Sequence, residues 1–135
     1  MIIADATVWS AALAGQVRAW TPCSPRCASG AQVSAPAAVF AEVLSECDDE
    51  RSAAQVRAWA LEAAPVNETG LAWLASGDLG ARLRAQGVML SSLDTFLVTL
   101  CVREGWQLWT MNSGIHRVAA SLPIRLHDPP GLSSK

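Results

Sequence analysis

Apolar positions along the chain follow two alternating rhythms. Ile2-Ile3-Ala4 is a short continuous run ended by Asp5, and over residues 7–20 the apolar positions Val8, Leu13, Val17 and Trp20 recur at helical spacing. This pattern predicts a strand followed by a helix. Residues 21–30 hold two prolines, a glycine and two cysteines, which marks a loop. Residues 31–34 read as a second strand, and Pro36 suits the first turn of a helix running to about Cys47. Residues 48–64 open on three acids, which favour a helix N-terminus, and continue as an amphipathic helix. Pro65-Val66-Asn67 forms a short third strand in this reading, and Leu71, Trp73, Leu74, Leu79 and Leu83 give helical spacing over 71–86, interrupted near Gly77 and stopped by Gly87. A further helix spans 91–104 with Gly105 as its stop, a fourth strand covers 106–110, and a last one falls within 122–126. The tail from about residue 128, with Pro129-Pro130-Gly131, is loose.

Strands that alternate with helices specify a parallel sheet covered on both faces, so the expected class is α/β. A chain of 135 residues is one domain and can bury a sizeable core. The segment Gln-Val-Arg-Ala-Trp occurs at 16–20 and again at 55–59, but its surroundings do not match, so it reflects two amphipathic helices and not a repeat.

Composition narrows the chemistry. Apolar residues make up 51% of the chain and charged residues only 16%, which excludes disorder and leaves apolar surface for a core or an interface. The net charge of −2 advertises no polyanion binding by the chain as a whole, so any such partner needs a local patch or a metal. The sole lysine is the terminal Lys135, which excludes P-loop and Schiff-base chemistry. Asp5 interrupts the first apolar stretch and no basic residues precede it, so a secretory signal is not expected and the cytoplasm is the expected compartment. Cys23, Cys27, Cys47 and Cys101 are then expected as free thiols, since one close pair is a weak zinc signal. No apolar run is long enough to cross a membrane.

Ligands in an open parallel sheet collect at the carboxyl ends of the strands. There the acids are sparse and lie among apolar neighbours: Asp5 ends the first strand, Glu42 sits on the helix after the second, and Asp94 starts a helix. Asn112 follows the fourth strand. Each has a bland reading as well. Asp5 is a candidate helix cap, and Ser91 with Asp94 fits a capping box. Glu46 and the remaining acids fit solvated surface, and His116 fits a surface or packing role beside a possible one in the cleft. Taken jointly, three converging carboxylates without lysine or histidine partners repel one another. The usual resolution is a hard divalent cation, Mg²⁺ or Mn²⁺, which implies phosphodiester hydrolysis.

Nearly the whole chain resembles the PIN-domain ribonucleases, and among them the VapC-type toxins of bacterial toxin–antitoxin pairs. The resemblance is carried by Ile2-Ile3-Ala4-Asp5-Ala6-Thr7 at the start, by Val33-Ser34 through Glu42-Val43-Leu44, and most specifically by residues 81–94 ending Ser91-Ser92-Leu93-Asp94, continued by Phe96-Leu97-Val98 and by residues 104–110. It implies a three-layer α/β/α sandwich with a central parallel sheet of four or five strands. It also implies a Mg²⁺- or Mn²⁺-dependent endoribonuclease, a homodimer, and a VapB-type antitoxin that covers the site. Asp5, Glu42 and Asp94 would hold the metal, Asn112 would complete the polar rim, Thr7 or Ser91 would orient ligands, and Arg82, Arg84 and Arg117 would steer RNA, although Arg82 and Arg84 fit an exposed helix face at least as well. The family carries a fourth acid two residues beyond the threonine that ends the fourth strand, or three further on. Here these positions are Asn112 and Ile115. A PIN-like binding or regulatory module without turnover is the alternative expectation.

Overall fold

Ile2–Ala4 (β1) is buried on both faces, as a continuous apolar run in the middle of a parallel sheet should be. In the computed structural model, which describes residues 1–16, 31–67 and 70–128, β1 pairs on one side with Val33–Ser34 (β2) and on the other with Gln107–Trp109 (β3). Arg125–Leu126 (β4) pairs with β3, giving a sheet of order β2-β1-β3-β4 with every pairing parallel. The edge strand β4 is short, with an exposed arginine, which discourages pairing with another sheet. Residues 65–67 do not form the expected third strand; Val66 makes only an isolated parallel bridge to Pro36.

Six α-helices flank this sheet among the described residues, and the architecture is the α/β/α sandwich expected. Ala6–Leu13 (α1), Ala37–Ser45 (α2) and Glu50–Ala63 (α3) pack on one another, while Gly70–Ala85 (α4) lies along Ser92–Glu104 (α5). The sixth helix, Ser113–Val118 (α6), follows β3 and was not expected from the spacing. Trp9 anchors the first group: its ring meets Phe40 at 4.7 Å and Trp59 at 5.8 Å, and its indole N–H donates to the Ala4 carbonyl at 2.9 Å. Trp73 stacks on Phe96 at 3.8 Å between α4 and α5. These rings belong to one continuous core with Ile3, Val8, Val33, Phe96 and Leu108.

One detail of α4 differs from the pattern reading. α4 runs unbroken through Gly77, because Ala72, Ser76, Leu79 and Leu83 recur along its buried face and packing on α5 offsets a helix glycine costing about 1 kcal/mol. Leu71 and Leu74, which share the helical spacing of Leu79 and Leu83, are each 70% exposed. Trp59 on α3 is part of the core. Trp20, Cys23, Cys27, the first loop and the tail lie outside the described residues. Cys47 and Cys101 are free, as expected, and burial pushes the Cys101 thiol up to about 12. No helix among the described residues is long and apolar enough to cross a membrane.

Candidate active site at the β1 and β3 strand ends

Strand order locates the cleft. From β1 the chain crosses to β2 on one side of it, and from β3 it crosses to β4 on the other, so the connections leave these neighbouring strands in opposite directions. The carboxyl ends of β1 and β3 therefore form the topological switch point, where parallel α/β sheets bind ligands. The residues at this point are Asp5 after β1, and Thr110, Met111 and Asn112 after β3.

Asp5 is 1% exposed and its carboxylate ties the two strand ends together. The Thr7 and Thr110 hydroxyls donate one to each carboxylate oxygen, and the Val8 N–H donates to Oδ1 at 3.2 Å. Each threonine hydroxyl in turn accepts a backbone N–H from beyond β3: Met111 to Thr7 at 3.0 Å, and Asn112 to Thr110 at 2.9 Å. Burial outweighs these three donors and holds the Asp5 carboxyl above the usual carboxylate range, with the negative charge of Asp94 adding to the rise. The capping reading was also correct, since Asp5 is the N-cap of α1. It serves both purposes.

Asp94, half-buried on the first turn of α5, faces Asn112. The Asn112 amide donates to Asp94 Oδ2 at 3.0 Å, while its amide oxygen accepts the Gly114 N–H at 2.8 Å and caps α6. An N–H can be accepted only by the oxygen, so the cap fixes which way the amide points. Half of the expected capping box forms: Ser91 Oγ accepts the Asp94 N–H at 3.1 Å, but the Asp94 carboxylate turns to Asn112. Glu42 lies exposed on α2. Partial burial, then the charges of Glu46, Asp94 and Asp5, raise its carboxyl above the ordinary range. Glu46, expected as solvated surface, is exposed.

The structure thus brings Asp5, Asp94 and Asn112 to one cleft, with Glu42 at its rim within reach of their charge. The donors are hard oxygens, the kind that suit Mg²⁺ or Mn²⁺, and a cation would relieve the mutual repulsion of Asp5, Asp94 and Glu42. Among the described residues no three His, Cys, Asp or Glu side chains already form a group that could hold an ion. Thr110 is the participant that pattern reading left without a role, although a threonine ending the strand beside β1 is a signal once the neighbours are known. His116 is exposed, and its Nε2 lies 2.9 Å from the Thr110 carbonyl, beside the same strand end. Since a carbonyl only accepts, Nε2 carries the proton there.

Fold and cleft define a class: a parallel α/β protein with an acidic switch point. The sequence matches no family model and no curated protein.

Proposed function

We propose that the chain is a metal-dependent endoribonuclease of the PIN-domain kind, the cytoplasmic toxin of a VapBC-type pair, working as a homodimer and held by a VapB-type antitoxin. One observation carries the reading: a buried carboxylate, Asp5, clamped by hydroxyls from both strand ends and sensing Asp94 across the switch point. Asp5, Asp94 and Glu42 would hold the ion. Mg²⁺ or Mn²⁺, when bound, acidifies water and screens charge on a phosphoryl group. Thr7 and Thr110 fix the rotamer of Asp5, so its oxygens are preorganised and lose little freedom on binding. Asn112 steadies Asp94 from the other side. Hydrolysis adds water across one phosphodiester bond, breaking P–O and leaving one strand end with the phosphate.

The test is direct: purified protein should cut RNA with Mn²⁺ or Mg²⁺ and leave it intact in EDTA, and Asp94→Asn should reduce cutting by about 100-fold or more. A second reading, a PIN-like binding or regulatory module without turnover, is favoured by Asn112, whose neutral amide occupies an oxygen of Asp94 where the family pattern has a fourth acid. RNA left intact under all these conditions selects that reading.

A further inference from the structure

Three arginines could steer a polyanion, and the surface sorts them. Arg84 lines a groove of about 360 Å³ between α4 and the start of α5, whose other walls include Trp73, Gly77, Gly80 and Ser92. Arg117 lines a second depression of about 170 Å³ with Gln86, Gly114 and Ser121. The two hollows share Val88 and Met89 as a common ridge, and Met89 is 73% exposed. Arg82 does not belong to this run; it lines a separate hollow with Arg103, Leu122 and Pro123.

Both hollows are lined by residues that lie close in the chain to side chains of the cleft. Ser92 and Thr95, which line the first hollow, flank Asp94 on α5, and Gly114, which lines the second, is the residue capped by Asn112. Neither hollow is lined by an acid, and neither Arg84 nor Arg117 has an ion pair with any described residue. Gly77 and Gly80 keep the wall of the first groove flat: a Cβ at Gly77 would meet nothing within 4 Å, and one at Gly80 would only touch the Thr95 methyl at 3.7 Å.

We infer that these two hollows and the Met89 ridge form a track for single-stranded RNA, with Arg84 and Arg117 holding successive stretches of phosphate and the glycine-walled groove taking a base. The inference rests on the ribonuclease reading and assigns its substrate path. Two unpaired cations separated by an apolar ridge suit a strand whose charged backbone alternates with flat apolar bases. Polyglutamate, by contrast, offers charge but no ring for the flat wall and the exposed thioether.

The track is tested by fluorescence anisotropy of a short 5′-fluorescein oligouridylate in EDTA, so that binding is read without cleavage. Arg84→Ala and Arg117→Ala should each weaken binding about tenfold and lower the salt slope by about 0.7. Gly77→Leu adds a better helix former into open space, so the protein stays folded while the groove is filled. It should weaken binding about threefold or more with the salt slope unchanged. Arg82→Ala should stay within about twofold of wild type. The track is overturned by absent binding, by Arg82→Ala weakening binding as much as Arg84→Ala, by indifference to Gly77→Leu, or by polyglutamate displacing the probe as well as unlabelled RNA does. Cleavage with Mn²⁺ is read separately. Arginine-dependent binding without cleavage keeps the track and rejects the nuclease; cleavage with binding indifferent to Arg84 and Arg117 does the reverse.

Discussion

Asp5, directly after β1, and Asn112, a short way beyond the end of β3, solve the same local problem differently. Asp5 and Asn112 each cap the helix that leaves its strand, accepting N–H groups of Val8 and Gly114 respectively. A carboxylate can only accept, so Asp5 gathers further donors from Thr7 and Thr110 and becomes the buried anchor of both strand ends. A carboxamide accepts and donates. Asn112 therefore caps α6 with its oxygen and still offers N–H to Asp94. One strand end concentrates negative charge; the other satisfies a neighbouring negative charge without a metal.

The largest effect should come from removing the anchor. Asp5→Ala deletes a cap and leaves the buried Thr110 hydroxyl without its acceptor, and is expected to cost about 2–3 kcal/mol in urea unfolding at neutral pH. A loss below about 0.5 kcal/mol would show that the two strand ends do not depend on this carboxylate.

Asn112→Asp makes the two ends alike. The cap survives, since Asp also caps well, but the donor to Asp94 becomes a second carboxylate at hydrogen-bond distance. Without metal the variant should lose about 1–2 kcal/mol, and Mg²⁺ should raise its melting temperature more than that of wild type, with stronger Mg²⁺ dependence of any RNA cutting. Equal Mg²⁺ shifts in the two proteins would remove Asn112 from the metal site.

The pH response separates the ends more finely. Because the folded-state pKa of Asp5 lies above the reference of 3.8, the native protein binds more protons than the unfolded chain between those two values. Stability contributed by this group therefore rises as pH falls through the raised value and levels off below about 3.8. Urea midpoints followed from pH 7 downward should show wild type gaining on Asp5→Asn, which carries no titrating group at this position. A constant difference between them contradicts the buried-carboxylate account. Glu42 responds in the same direction but is exposed, so Glu42→Gln should shift the midpoint little, by about 0.5 kcal/mol or less, while still weakening Mg²⁺ stabilisation if the rim carboxylate contributes to the ion. Unchanged Mg²⁺ stabilisation would confine the ion to Asp5 and Asp94.

Much of the scaffold is legible in local signals. The apolar triplet of β1, the Asp5 cap, Ser91 capping α5 and Gly105 at its left-handed end all lie within a few residues of the structure they specify. The helix over 70–85 was legible in its ends but not in its continuity through Gly77 or its orientation, because Leu71 and Leu74 share helical spacing with the core residues and only packing on α5 decides which face is buried. The short α6 was missed because its six residues carry two apolar positions, too few for a periodic pattern.

The sequence by itself determined that strands and helices alternate, that the acids are few, that Asp5 ends the first strand, and that Glu42 and Asp94 fall on helices. Only the tertiary structure decided that β1 lies beside β3, and hence that Thr110 closes on Asp5 across 105 residues of chain, that Asn112 turns its nitrogen to Asp94, and that Arg84 and Arg117, not Arg82, line hollows that share Val88 and Met89. Caps and turns are set by neighbours in the chain. Strand order and the faces of packed helices are set by which apolar surfaces exclude water together, a property of the assembled core that no short segment contains.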